Sequence, residues 1–423
     1  MNHELLKSVI FDQQDVIRSA HIIPRRYQLE TEANYVITGL RRAGKSTLLY
    51  DVARKLVEQG VDWSRIIYIP FEDERLAEFS LDDFNDILLV QRELSEQSGY
   101  FFLDEVQNIP GWEKFARRLA DSGKRVFITG SNATMLSGEI ASTLGGRYLI
   151  QQVSPYRLDE FLDAKGISHA SRDLLATESL GHILSGFEAY FRNGGFPESL
   201  RYSSPRLYVE SVYQKVLLGD IVARNGIRNQ QVIRLMMKKI AETVCSELSF
   251  SSLHSMLKSI GFSAGKNTII DYVAHAQEAY LLFTVTNAVA KFVEREGNPK
   301  YYFSDNGLLN LFLTDKDTAL LENMVAIALH DNYPDELCYL KSARNGIDID
   351  FYLPQQGTAI QVAYSIAGEA RKREVENLVK LSRIQGDIKR LLILTKEEEE
   401  IIEQDNCVIG VIPVWKYLLE LAD

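Results

Sequence analysis

The sequence is poor in cysteine. Cys245, Cys338 and Cys407 are the only three in 423 residues, scattered and odd in number. No Cys-x-x-Cys pair or Cys/His cluster accompanies them, which excludes a disulfide framework and a spaced zinc site. A reducing cytoplasm is the expected setting. Long apolar runs are also missing: none approaches the roughly 18 residues of a membrane-spanning helix, so no membrane contact is expected. Met1-Asn2-His3-Glu4 lacks the basic and apolar regions of a secretory signal, so no export leader is expected. Positive charge is not in excess. With 47 Lys+Arg against 58 Asp+Glu the net charge is −11, and any nucleic-acid contact has to come from a local patch.

What is present is ordinary for a globular chain: 46% hydrophobic and 25% charged residues, with length for two or three domains. The most informative stretch is Thr38-Gly39-Leu40-Arg41-Arg42-Ala43-Gly44-Lys45-Ser46-Thr47. An apolar run, Tyr35-Val36-Ile37, precedes it, and a helical pattern from Leu48 to Leu56 follows. Strand, glycine loop and helix in that order are the context of a phosphate-binding loop. Gly39 and Gly44 let the backbone turn tightly so that its N–H groups converge on phosphate oxygens, beside the positive end of a helix. Lys45 is expected at the β- and γ-phosphates and Ser46 on Mg²⁺. Arg41 and Arg42 are expected to project outward, to a partner or to solvent.

A second stretch fits the first. Tyr100-Phe101-Phe102-Leu103 reads as a buried parallel strand and ends in Asp104-Glu105. Acids at the carboxyl end of such a strand lie where open α/β sheets bind ligands. Asp104 is the expected Mg²⁺ ligand, directly or through water, and Glu105 the general base that polarises the attacking water. Ile66–Ile69, Arg125–Thr129 and Tyr148–Ile150 read as further strands, with helices at Leu81–Leu89 and from Trp112. Serial βα units argue a mostly parallel, three-layer sheet. The strand tip Gly130-Ser131-Asn132 offers Asn132, or Ser131, to the γ-phosphate and water; a plain turn explains the same residues. Glu72 and Asp73, at the end of the second strand, could help position water or metal; a solvated loop is the favoured reading.

Gly-Leu-Arg-Arg-Ala-Gly-Lys-Ser, Phe-Leu-Asp-Glu-Val-Gln, Ile-Thr-Gly-Ser-Asn and Gly-Gly-Arg-Tyr, in this order, resemble AAA-type ATPases. The set is similar to one prokaryotic family whose C-terminal domain, of unknown function, has a restriction-nuclease-like core. The resemblance covers nearly the whole chain. It implies that Lys45 and Ser46 are the Walker A pair, Asp104 and Glu105 the Walker B pair, and Asn132 sensor 1. It implies for Arg147 a role at a γ-phosphate, in its own subunit or a neighbour's; a surface ion pair is the plainer reading. A guanine-type motif is only faintly suggested at Leu391–Glu398 and lacks its Asp, so ATP is the expected nucleotide.

The expected domains are an ATPase core with an N-terminal helix (1–153), a helical lid (154–225), a winged helix (226–305) and a nuclease-like α/β domain (306–423). The lid carries Gly194-Gly195-Phe196-Pro197, a breaker between helices that the family also has. In the winged helix, Val232, Leu235, Met236 and Ile240 are expected to face inward, as are Ile269, Ile270, Val273 and Ala274. Lys291, Arg295 and Lys300 mark a charged wing. Residues 205–300 hold twelve Lys/Arg against eight Asp/Glu, which permits double-stranded DNA at the helix led by Lys266, Asn267 and Thr268. A protein partner fits as well. In the last domain the resemblance implies an acid and a lysine where Gln361 and Ala363 stand. Glu322 and Asp350 match, but Gln is a weak ligand for a hard cation and Ala supplies no charge, so no DNA cleavage is expected. Glu397–Glu400 reads as a solvated helix start. The functional expectation is an ATP-hydrolysing switch, with a second copy of the chain among its candidate partners as a homo-oligomer; the alternative is a non-hydrolysing, nucleotide-gated DNA-binding or regulatory protein.

Overall fold

The computed structural model describes residues 1–422 other than 31, 137, 315 and 316. Two compact units are present, residues 1–154 with 278–280, and residues 155–277 with 281–423.

In the first unit, short apolar runs become strands β1 (Asn34–Thr38), β2 (Ile66–Pro70), β3 (Tyr100–Asp104), β4 (Arg125–Gly130) and β5 (Tyr148–Gln152). All pair in parallel, in the order β2-β3-β4-β1-β5. Helices α1 (His3–Ser19), α2 (Lys45–Glu58), α3 (Phe84–Leu94), α4 (Trp112–Asp121) and α5 (Gly138–Leu144) accompany them. Burial on both faces is why β1 to β4 read as continuous apolar runs rather than alternating ones. Leu6, Val9 and Ile10 of α1 join Ile67, Phe101, Leu103, Phe84, Trp112 and Phe115 in one core. The N-terminal helix is therefore an integral part of this unit. The edge strand β5 differs, leaving Leu149 and Ile150 exposed.

The sheet order matters for the site. β4 lies between β1 and β3, with Thr38 paired to Gly130 and Leu103 to Ile128. The carboxyl ends of three strands are thus level, and the loops leaving them share one edge of the sheet.

The second unit begins with α6 (Leu158–Ala164), α7 (Thr177–Asn193), α8 (Pro205–Lys215), α9 (Gln230–Glu242), α10 (Phe250–Ser259) and α11 (Lys266–Glu278). An antiparallel pair follows, β6 (Leu282–Asn287) and β7 (Lys300–Phe303), with α12 (Phe292–Gly297) between them. Then come α13 (Asn306–Asn310), α14 (Asp317–Asn332), β8 (Cys338–Ser342), β9 (Ile347–Leu353), β10 (Thr358–Val362), α15 (Glu369–Ile384), β11 (Arg390–Thr395), β12 (Glu400–Gln404), β13 (Cys407–Pro413) and α16 (Val414–Glu420). The eight strands form one sheet, β12-β13-β11-β10-β9-β8-β6-β7. A division at 305/306 therefore falls inside a continuous sheet, and the three parts expected after residue 154 pack as one unit.

Gly194 and Gly195 are required by close approach. A Cβ on Gly194 would lie 2.0 Å from Asp305 Oδ1, and one on Gly195 2.1 Å from the Tyr156 carbonyl oxygen. Asp305 accepts the N–H groups of Gly195 and Gly307 at 2.7 and 2.8 Å. The breaker is thus a clasp between α7 and the start of α13.

Several local expectations are corrected. Ile233 and Met237 are buried on α9 where Leu235 is only partly so, and Ile270 faces out. Lys300 is not on a wing; it is 3% exposed, within β7. Residues 397–399 bend into β12 rather than opening a helix.

Candidate functional site

The loop after β1 is shaped by its glycines. Gly39 has φ +137°, and a Cβ there would sit 2.1 Å from the Val153 carbonyl oxygen. Gly44, with φ +101°, starts α2 without a side-chain cap, so the first-turn N–H groups face the loop's hollow. Arg42 also takes a left-handed φ of +66°, which costs an ordinary residue about 1 kcal/mol. Lys45 is the first helical residue, and its side chain folds back over the loop. Its Nζ donates to the carbonyl oxygens of Gly39 and Leu40, both at 3.1 Å, and lies 3.8 Å from Glu105 Oε1. Ala43 is buried, and its carbonyl oxygen accepts a hydrogen bond from Arg25 at 3.1 Å. Thr47 continues the first turn of α2.

Asp104 ends β3 and is held by three hydroxyls. Ser46 donates to Oδ1 at 3.1 Å, Tyr68 donates to Oδ2 at 2.8 Å, and Thr129 donates to Oδ1. Burial pushes the Asp104 carboxyl above its ordinary value, Glu105 adds to this, and the three hydrogen bonds work against it. Glu105 follows in a left-handed conformation, φ +53°. Its N–H is accepted by Thr129 Oγ1 at 2.9 Å, and its Oε2 accepts from Ser131 at 3.1 Å and from Gln107. Burial pushes the Glu105 carboxyl up, but Lys45, Gln107, Arg41 and Ser131 together hold it below its ordinary value. The two adjacent acids are thus shifted in opposite directions.

Asn132 is 3% exposed just beyond β4. Arg147 lies elsewhere. It immediately precedes β5, whose Tyr148 pairs with Asn34 at the start of β1, so it sits at the sheet edge opposite the glycine loop. There Arg147 pairs with Asp121 at the end of α4. Arg41 does not project outward. Both its Nη1 and Nη2 donate to Glu72 Oε1 at 3.0 Å, so Glu72 is not merely solvated; Arg42 is exposed.

Tyr68, Thr129 and Gln107 were not among the residues singled out in the sequence. For Tyr68 and Thr129 the signal was available: each is a hydroxyl inside an otherwise apolar strand, and a buried hydroxyl needs a partner.

The donor set fits a magnesium nucleotide. Ser46 and Asp104 bring hard oxygen donors together, and Lys45 with the uncapped turn of α2 supplies positive charge where phosphate oxygens would lie. Among the described residues no group of three or more His, Cys, Asp or Glu is placed to hold a metal. One carboxylate and a hydroxyl are what Mg²⁺ uses when phosphates and water complete its shell.

In the second unit Lys300 Nζ lies 3.4 Å from Glu322 Oε1 and 3.7 Å from Asp350 Oδ1. Tyr302 donates to Glu322 at 2.7 Å. Gln361 accepts the Asp350 N–H at 2.8 Å and donates to Glu374 at 2.8 Å. Ala363 is buried in the neighbouring core. Lys266 and Asn267 are exposed at the start of α11, with Thr268 partly so; Lys266 donates to Ser251 at 3.1 Å. Among the described residues no helix is long and apolar enough to cross a membrane.

Residues 31–162 match a family model described as an AAA domain, and residues 184–319 one described as a domain of unknown function. An uncharacterized protein of Methanocaldococcus jannaschii is 28% identical over 433 residues, covering 98% of this chain and 95% of that protein. One of Haemophilus influenzae is 29% identical over 405 residues, covering 92% and 95%. The Walker-type ATPase of Pyrococcus abyssi aligns over 72% of this chain and 94% of its own, at 12% identity and a TM-score of 0.39.

Proposed function

We propose that this chain, whose residues 31–162 match an AAA domain and 184–319 a domain of unknown function, binds Mg²⁺-ATP at the loop 39–47 and hydrolyses it as a molecular switch. One convergence supports the reading: Lys45 and Ser46 from one helix start, and Asp104 and Glu105 from one strand end, meet within hydrogen-bonding or ion-pairing distance. Gly39 to Gly44 would present backbone N–H groups to the phosphates, Lys45 would move from the loop carbonyls onto phosphate oxygens, and Ser46 and Asp104 would hold Mg²⁺, which would supply charge neutralisation at the phosphates. Glu105 orients the attacking water and accepts its proton. When Lys45 turns to phosphate, Glu105 loses its strongest counter-charge and becomes a better base. Asn132 lies with Ser131 at the tip beside Glu105, where a polar group positions the water or the terminal phosphate.

Arg147 acts in trans. Its place at the far edge of the sheet keeps it from its own loop, and β5 beside it exposes Leu149 and Ile150, apolar surface suited to a second copy of the chain. Residues 226–305 we read as a winged helix that contacts double-stranded DNA through Lys266, Asn267 and Thr268. Residues 306–423 we read as a nuclease-like domain that does not cut.

Phosphate release measured with and without double-stranded DNA tests the proposal. Turnover that Glu105→Gln removes supports the switch. Saturable ATP binding with no turnover would favour the non-hydrolysing, nucleotide-gated DNA-binding or regulatory protein.

A further inference from the structure

Arg41 is the third residue of the glycine loop, and its side chain is only 17% exposed. Both terminal nitrogens converge on one oxygen of Glu72, at 3.0 Å each, while the Glu72 side chain is 50% exposed. Glu72 lies two residues beyond β2, and β2 ends beside the magnesium carboxylate: Pro70 pairs with Asp104, and the Phe71 N–H donates to the Asp104 carbonyl oxygen at 2.9 Å. Arg41 therefore spans from the phosphate loop to the strand end next to Asp104. It is also one of the charges that act on Glu105. Its hold on Glu72 is weak by construction, because two donors share one oxygen of a half-exposed carboxylate. A guanidinium is matched in shape and charge to a phosphate. A phosphate attacked by a water on Glu105 would lie between Glu105 and the loop that carries Arg41.

We propose that Arg41 is a cis-acting sensor of the terminal phosphate, parked on Glu72 in the nucleotide-free chain and transferred to a γ-phosphate oxygen when a triphosphate binds. This rests on the reading of the loop as an ATP site. Glu72 acts as the latch that competes with the phosphate for the guanidinium, so the two residues have opposite effects on ATP affinity. An ion pair that serves only the fold would give neither effect.

The test is equilibrium binding of Mg²⁺ with ADP and with a non-hydrolysable ATP analogue to the full chain and to Arg41→Ala, Glu72→Gln and the double variant. Arg41→Ala is expected to weaken the analogue about tenfold, the loss of one charge-assisted contact, and to leave ADP within about twofold. Glu72→Gln is expected to tighten the analogue about threefold, the size of an exposed ion pair, without changing ADP. The double variant should match Arg41→Ala. An unchanged preference for the analogue in Arg41→Ala, or a weakening by Glu72→Gln, overturns the sensor while leaving the ATP site standing. A wild-type chain that binds neither ligand overturns both. Should Arg41→Ala fail to fold, the direction of the Glu72→Gln effect alone decides.

Discussion

Ser46 Oγ lies 3.1 Å from Asp104 Oδ1, although 58 residues separate the two in sequence. The hydroxyl comes from the first turn of α2 and the carboxylate from the tip of β3, with β4 between β1 and β3 in the sheet. Mg²⁺ between these oxygens needs the carboxylate ionised, and burial makes Asp104 hold its proton to a higher pH than an ordinary aspartate. Mg²⁺-supported nucleotide affinity should therefore fade on acidification before ordinary aspartates titrate, while Glu105 stays charged. Asp104→Asn should bring affinity in Mg²⁺ down to its value in chelator, about tenfold or more lower, by equilibrium titration.

In the proposed reaction Glu105 accepts a proton rather than binding the nucleotide. Glu105→Gln keeps hydrogen-bonding capacity but cannot take the proton from water. We expect turnover to fall by about 10²–10⁴-fold with ATP affinity within a few-fold of wild type, read by phosphate release and by binding on the same preparation.

Arg147 makes a prediction about mixtures. Alone, Arg147→Ala and Glu105→Gln should each be nearly inactive. Mixed, a subunit with an intact Glu105 can receive Arg147 from its neighbour, and a fraction of the activity should return. Mixtures that stay inactive at concentrations where the chain self-associates would refute a trans role.

Lys300 is the shared cation of buried Glu322 and part-buried Asp350, and its removal leaves Glu322 without a counter-charge. Lys300→Met should destabilise the second unit by about 3–5 kcal/mol in denaturant unfolding. Asp350 behaves differently. Burial and Glu322 push its carboxyl up to about 7 against the opposing pull of Lys300, so it favours the folded chain fully below about 4, where an unfolded aspartate is protonated too, and that contribution is lost as pH rises from about 4 to about 7. Asp350→Asn should accordingly become more favourable relative to wild type across that window. Beside the same ion cluster Gln361 is neutral and Ala363 carries no charge, so the proposed reading expects no Mg²⁺-dependent cleavage of plasmid DNA.

The first unit was largely legible in the sequence because its signals are local. Tyr35–Ile37, Ile66–Ile69, Tyr100–Leu103 and Arg125–Thr129 are short apolar runs with chemistry at their ends, and each is a strand. Lys45, Ser46, Asp104 and Glu105 were legible because their spacing and flanks carry a mechanism. What was not legible depends on contacts across the fold. Lys300 looks like a wing lysine among Lys291 and Arg295, and only β7 lying against α14 brings it to Glu322. Arg41 sits in a loop run of charges that reads as solvent-facing, and Glu72, 31 residues away, is what turns it inward. Ile270 fits a helical stripe that α11 does not bury. The acidic run at Glu397–Glu400 has a helix-start composition, but Glu400 pairs with Arg371 and begins an edge strand.

The most direct test of the account is a titration of Mg²⁺-ATP into the wild-type chain and into Lys45→Ala. The expected result is saturable binding of one nucleotide per chain, weakened about a hundredfold or more when the buried ammonium is removed. A wild-type chain that takes up no adenine nucleotide, or a Lys45→Ala chain that binds as tightly, would contradict it.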